Sequence, residues 1–240
     1  MKLLTSIIAF LIISTSVNAQ FFNKKIKGNG DIKTETRSVS DYDKIAAAGS
    51  FDIELYKGTE GKLTVKADEN LMEVIITEVK NGKLKIYIKK GYNIRTKRAI
   101  VVTIPFEDID AIALAGSGDI TSRDLINSED LKLSLAGSGT MKLNVSANNL
   151  SSSIAGSGTL TLNGDANEFK CSVSGSGDIN SFNLKAKSVK VSVAGSGNVK
   201  VHAINEIKAT TAGSGDIYYS GNPTIEKVKS VGSGSIRKKN

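Results

Sequence analysis

Six polar side chains recur at one place in a repeated motif. Together they carry the oxygens that could bind sugar hydroxyls or a hard cation. They are Asp119, Thr140, Thr159, Asp178, Asn198 and Asp216, each directly after a Gly-Ser-Gly tripeptide. A second grouping is cationic. Lys80, Lys83, Lys85, Lys89, Lys90, Arg95, Lys97 and Arg98 follow one another with no acid between Lys80 and Arg98, and Tyr87 and Tyr92 interleave. Of these, Lys83, Lys85, Lys89, Lys90, Arg95 and Arg98 are the candidate contacts for an anionic glycan or membrane headgroups. The plainer reading is the solvated face of a hairpin, because Lys83, Lys85 and Lys89 alternate with Leu84, Ile86 and Ile88.

Other chemistry is thinly supplied. The single histidine, His202, rules out a multi-His metal centre, and the single cysteine, Cys171, rules out an internal disulfide. Cys171 sits in the alternating run Phe169–Val173 and reads as a small buried hydrophobe. No P-loop, no Gly-x-Ser-x-Gly elbow and no His-Glu-x-x-His occurs. Calcium-binding solenoid turns repeat every nine residues with an Asp in each, whereas here Asp follows only three of seven corners. No metal site, no cofactor and no catalytic residue is expected.

The elements that must position these residues follow from the repeat. Gly-Ser-Gly starts at Gly116, Gly137, Gly156, Gly175, Gly195, Gly213 and Gly232, at spacings of 18 to 21 residues. The polar residue after it is always followed by an aliphatic one: Ile120, Met141, Leu160, Ile179, Val199, Ile217 and Ile236. Before each corner runs a second alternating segment, such as Leu131–Leu135 or Val189–Val193. Period two with aliphatic residues predicts strands with one buried face, so one repeat reads as strand, turn, strand, turn. About nineteen residues cannot bury a core alone, but stacked coils can. The fold expected is all-β: a single-stranded, right-handed parallel β-helix with coils about 4.8 Å apart. Glycine suits corners that need positive φ and close backbone approach, and the corner serines are expected to stack as a hydroxyl ladder. On this stack Asp119 and Asp178 stand three coils apart, about 14 Å, beyond the ~5–9.5 Å of a glycosidase carboxylate pair.

The two ends differ from the middle. Lys2, the apolar run Leu3–Ile13 and Val17-Asn18-Ala19 read as a signal peptide, residues 1–19, cut before Gln20. No other stretch reaches eighteen apolar residues, so no transmembrane segment is expected in the mature chain. Without Lys2 the chain carries 31 basic and 24 acidic residues, a net +7 that favours anionic partners weakly. Residues 20–110 are expected to form atypical first coils of the same domain, and residues 111–240 the regular solenoid. Gly28-Asn29-Gly30-Asp31-Ile32 and Gly49-Ser50-Phe51-Asp52-Ile53 read as two degenerate corners. Asn81-Gly82 reads as a type I′ hairpin turn, Asp68–Met72 as a short helical or turn segment, and Ile100–Ile104 as a strand ended by Pro105.

The run from Tyr42 through Asp52-Ile53, Ala67-Asp68-Glu69-Asn70, Asn81-Gly82-Lys83-Leu84 and the Ala115-Gly116-Ser117-Gly118-Asp119-Ile120 corner together resemble a bacterial domain of unknown function. Its label is "putative auto-transporter adhesin, head GIN domain", and it is abundant in Bacteroidetes. The resemblance spans about residues 38–236 and implies a secreted right-handed β-helix. It implies no activity and no site residues. The combined expectation is a non-enzymatic β-solenoid outside the cytoplasm, in the periplasm or at the cell surface, with an adhesin-like or scaffold role. Its partner would be a glycan or a cell-envelope protein, not nucleic acid. The alternatives are a carbohydrate-active β-helix enzyme of lyase or hydrolase type and an envelope-stress or signalling partner.

Overall fold

The computed structural model describes residues 24–239, and 74% of these described residues are strand. The expected signal peptide lies outside the described residues. Strands β1 (Lys24–Lys27), β2 (Ile32–Ser38), β3 (Lys44–Ala48), β4 (Phe51–Lys57) and β5 (Lys62–Asp68) precede a 3-10 turn at Glu69–Val74. Then come β6 (Ile75–Lys80), β7 (Lys83–Ile88), β8 (Tyr92–Arg95) and β9 (Ile100–Phe106). The regular stack contains β10 (Ala111–Gly116), β11 (Asp119–Gly137), β12 (Thr140–Gly156), β13 (Thr159–Gly175), β14 (Asp178–Gly195) and β15 (Val199–Gly213). It ends in the shorter β16 (Ile217–Ser220), β17 (Ile225–Gly232) and β18 (Ile236–Lys238).

The coils stack in parallel about nineteen residues apart, forming a β-solenoid of about seven turns. Each of β11 to β14 pairs with the next in parallel, Leu135 with Ile154 and Ile154 with Val173, with register shifts at Thr121–Leu125, at Thr161–Asn163 and in β14 between Ser181 and Ser188. Sequence reasoning expected two strands and two turns per coil. Instead, β12 and β13 run unbroken from one corner to the next. Parallel neighbours bend at the same residues, so their hydrogen bonds continue across the bend.

Period two explains which residues face inward. Ile120, Met141, Leu160, Ile179, Val199 and Ile217 stack as one interior column, each 0–1% exposed. Leu114, Leu135, Ile154, Val173 and Val193 form another. Burial of such a side chain stabilises by about 1.5–3 kcal/mol, so each coil adds one slice to a shared core. Cys171 lies buried in this interior, and its thiol is pushed far above the ordinary range by desolvation. Further along the second column the aliphatic gives way to a hydroxyl. Thr211 donates to the Gly215 carbonyl at 2.9 Å and Ser230 to that of Gly234 at 2.5 Å, bridging their own corners.

The corner geometry accounts for both glycines. Gly156 sits at φ +119°, and a Cβ there would lie 2.5 Å from the Gly137 oxygen one coil before. A Cβ on Gly158 would lie 2.7 Å from both the Gly139 oxygen and Leu135 Cδ2. Between them Ser157 donates its backbone N–H to Gly137 at 2.9 Å. The expected ladder of corner hydroxyls is not formed. Ser138, Ser157, Ser176 and Ser196 are exposed, and no side-chain hydrogen bond joins them among the described residues. The backbone already satisfies this turn, which leaves the hydroxyls to solvent.

At the N-terminal end two expectations are corrected. The Gly49 corner does stack, with Gly49 N–H on the Ala115 carbonyl at 2.8 Å and buried Phe51 filling the interior. The Gly28 corner does not. There β1 joins β8 in a separate two-stranded sheet, and β2 turns back antiparallel along β5. Buried Asp68 holds this crossing, accepting from Gly30 N–H at 2.8 Å and Thr96 Oγ1 at 2.5 Å. Nor does Pro105 end its strand, since β9 continues to Phe106. β5 pairs β9 only along Val101–Thr103, so no partner on that side needs the missing N–H of Pro105. Its carbonyl accepts the buried Tyr42 hydroxyl. β6 and β7 form an antiparallel hairpin across Asn81 and Gly82, both at positive φ.

Candidate functional site

The six polar corner residues stand in one column on the outer surface. Asp119 pairs with Thr140, Thr140 with Thr159, and Thr159 with Asp178. Asn198 and Asp216 continue it. Their chemistry divides the column in two. Asp178 Oδ1 accepts the Asn198 N–H at 2.8 Å, Asn198 Oδ1 accepts the Asp216 N–H at 3.2 Å, and Asp216 Oδ1 accepts the Ser235 N–H at 2.8 Å. These three side chains spend an oxygen holding the next coil. Hydrogen bonds from the Ser235 hydroxyl and N–H hold the Asp216 carboxyl below the usual carboxylate range. Asp119, Thr140 and Thr159 carry no such bond, because the next residues in the column, Thr140, Thr159 and Asp178, donate their N–H to Gly118, Gly139 and Gly158.

Sequence reasoning missed the residue beneath Asp119. Asp52 pairs with it in register, putting two carboxylates on adjacent coils. Burial, then Asp119, then Glu54 raise the Asp52 carboxyl above its ordinary range. The signal was available in Gly49-Ser50-Phe51-Asp52-Ile53, where Asp52 holds the corner position of Asp119.

The basic cluster is contiguous in sequence but divided in space. Lys83 and Lys85 lie on β7 and border a shallow depression floored by Ala46, Ala48, Ala113 and Ala115. Arg95 and Arg98 instead border a depression of about 580 Å³ beside Asp68 and Gly30. Along the chain Lys89 comes between them, its Nζ 5.9 Å from the Tyr92 ring centre, and Lys90 follows it in the exposed turn. Glu78, across the hairpin from Lys85, pairs with Lys80 at 2.9 Å.

Among the described residues no group of three or more His, Cys, Asp or Glu is placed to hold a metal ion. His202 Nδ1 lies 3.0 Å from Ser220 Oγ, and no carboxylate among the described residues bonds to the ring. Polar ladders cover other bends: Asn183 to Asn163 at 3.3 Å, Asn163 to Asn144 at 3.1 Å, and Asn149 to Asp130 at 2.9 Å. Such stacks keep side chains satisfied coil by coil. No helix among the described residues is long and apolar enough to cross a membrane.

The fold is shared by known proteins. The family model described as "Putative auto-transporter adhesin, head GIN domain" matches residues 41–223. A Bacteroides fragilis structure described as a putative adhesin superposes at TM-score 0.85 with 26% identity, covering 89% of this chain and all of its own. A Parabacteroides distasonis structure described as a putative lipid binding protein gives 0.73 with 31% identity, covering 90% of this chain and all of its own. A putative adhesin from Parabacteroides merdae shares the fold at 0.71 and 22% identity, with the same 90% and complete coverage. No curated protein matches.

Proposed function

The chain belongs to the family described as "Putative auto-transporter adhesin, head GIN domain", and from that premise we propose a non-enzymatic, extracytoplasmic adhesin-like scaffold. Residues 1–19 serve as its secretion signal, residues 20–110 form the first part of the domain and residues 111–240 the regular solenoid. Glycan or cell-envelope protein binds along its long outer faces, with the corner column and the basic residues of β7 as the candidate contacts. One observation carries this reading: outward-facing polar residues stand in register from coil to coil, as exposed Asp119 and Thr140 and half-buried Thr159 do. A surface of that kind suits an extended partner touched weakly at many equivalent points, not a small molecule enclosed in a pocket.

The test is a glycan array with residues 20–240 at low and high salt, run beside a pull-down from envelope extracts. Capture of one defined glycan over the others on the array, or of one envelope protein, is expected, with the salt series showing how much of it is charge. Turnover of a polysaccharide by the purified chain would overturn the non-enzymatic reading in favour of the lyase or hydrolase alternative.

A further inference from the structure

One outer column of the solenoid is made of lysine. Lys132, Ser151, Lys170, Lys190, Lys208 and Lys227 pair in register on successive coils. The column continues the other way through Ala111 to Lys44 and Lys83. Four lysines in a row, Lys170 to Lys227, are nearest neighbours at about one strand spacing, ~4.8 Å between backbones. Like charges directly across a sheet destabilise it, so this column opposes folding. Partial relief comes from the same strands: Lys170 pairs with Glu168 at 3.0 Å and Lys208 with Glu206 at 2.6 Å. Lys170–Glu168 is solvent-exposed and Lys208–Glu206 half-exposed, so both are of small worth. Lys132 and Lys190 have no ion pair among the described residues. Those acids, with Asp130, lie to one side of the column, two residues before Lys170, Lys208 and Lys132, whereas Ser188 and Ile225 hold that place before Lys190 and Lys227.

To the other side lies a trough of small residues. Ser134, Ser153, Ser172, Ser192 and Thr210 form the next outer column, and Ser153 Oγ donates to Ser134 Oγ at 3.4 Å. Beyond it Ala136, Ala155, Ala194 and Ala212 present methyl groups. Where Ser151 replaces a lysine, the floor opens into a depression of about 440 Å³ between Lys132 and Lys170.

We propose that this face binds a linear acidic polysaccharide, a uronate polymer lying along the solenoid axis with its carboxylates on the lysine column and its hydroxyls on the serine column. The proposal rests on the adhesin reading and names its ligand class and face. Charge complementarity selects a polyanion. The hydroxyl and methyl trough selects sugar, because each ring offers both hydroxyls and an apolar face. A uronate polymer also places one carboxylate per ring, and a ring advances its chain by close to one coil step. Nucleic acid is disfavoured because this face offers no aromatic residue for base stacking outside Tyr87, at its far end.

The experiment uses residues 20–240 with three probes: polygalacturonate, uncharged dextran, and single-stranded DNA of equal charge, with phosphatidylglycerol vesicles as a fourth. Lys170→Gln, Lys190→Gln and Lys208→Gln are combined in one variant. A control carries Lys89→Gln, Arg95→Gln and Arg98→Gln. These side chains are exposed, and the first variant removes repulsion, so unfolding midpoints should hold or rise. Polygalacturonate binding is expected to fall roughly ten- to hundredfold in the column variant, three exposed contacts each of modest worth, and less than threefold in the control. Equal losses in both variants, no loss in the column variant, or no binding of polygalacturonate at all would overturn the proposal. So would equal or tighter binding of DNA or vesicles. In each of those cases, capture of a neutral glycan or an envelope protein would leave the adhesin reading standing.

Discussion

The corner glycines can be tested by separating two costs that coincide in them. Gly156→Ala should suffer both a backbone strain, at φ +119°, and a collision, with its Cβ 2.5 Å from the Gly137 oxygen. Gly30→Ala suffers only strain, because its φ is +90° and nothing lies within 4 Å of the new Cβ. Gly158→Ala suffers the collision, 2.7 Å to the Gly139 oxygen, without a positive φ. Strain in these glycine regions costs about 1–3 kcal/mol. The collision must be relieved by moving backbone that is hydrogen-bonded on both sides. Losing one such bond and its packing adds about 1–3 kcal/mol. Gly30→Ala is therefore expected to lose about 1–2 kcal/mol, Gly158→Ala a similar amount, and Gly156→Ala about 3–5 kcal/mol. Urea unfolding followed by circular dichroism measures all three, with hydrogen exchange reporting whether the loss stays near coils β12 and β13. If Gly156→Ala is no worse than Gly30→Ala, the coil-to-coil contact does not dictate glycine, and the argument from close approach fails.

Three further outcomes follow from individual residues. Asp52 has a raised carboxyl pKa, so its charge opposes folding above that pKa and the opposition vanishes on acidification. Asp52→Asn should be more stable than the parent at neutral pH, with the gap closing as pH falls through the folded pKa; a gap that widens in acid would contradict this. Cys171 is buried with its thiol shifted upward, so iodoacetamide should label it only in denaturant, and rapid native labelling would show that the core opens there. Arg37 donates to the Met72 carbonyl at 2.8 Å and to that of Ile75, tying β2 to the 3-10 turn. Arg37→Ala should cost about 2 kcal/mol in chemical denaturation, and a loss under 0.5 would mean that water replaces the guanidinium there.

What sequence showed and hid has a physical pattern. Coil length, the inward columns and the paired corners were legible because each is set by neighbours along the chain: alternation for burial, glycine for φ. The Gly28 corner was misread because its local motif is the same, while its fate is decided by Asp68, forty residues on. Asp52 and Asp119 were not seen as neighbours because 67 residues separate them and Phe51 disguises the first corner. The basic cluster looked like one patch because it is continuous in sequence, yet the chain turns at Lys89–Tyr92 and parts Lys83 from Arg98. The lysine column was readable all along: Lys44, Lys132, Lys170, Lys190, Lys208 and Lys227 each stand five residues before a corner glycine.

Register between coils has a consequence for length. Removing residues 157–175 would join Gly156 to Ser176, restore a Gly-Ser-Gly corner and leave every column aligned, only one step shorter. The coil is thus an interchangeable module, and the number of modules is a molecular ruler. Duplicating or excising one would change the reach of the outer faces in fixed increments of about 4.8 Å while leaving their composition per unit length almost untouched. Selection for a longer or shorter partner could act by counting coils, with no need to redesign a site.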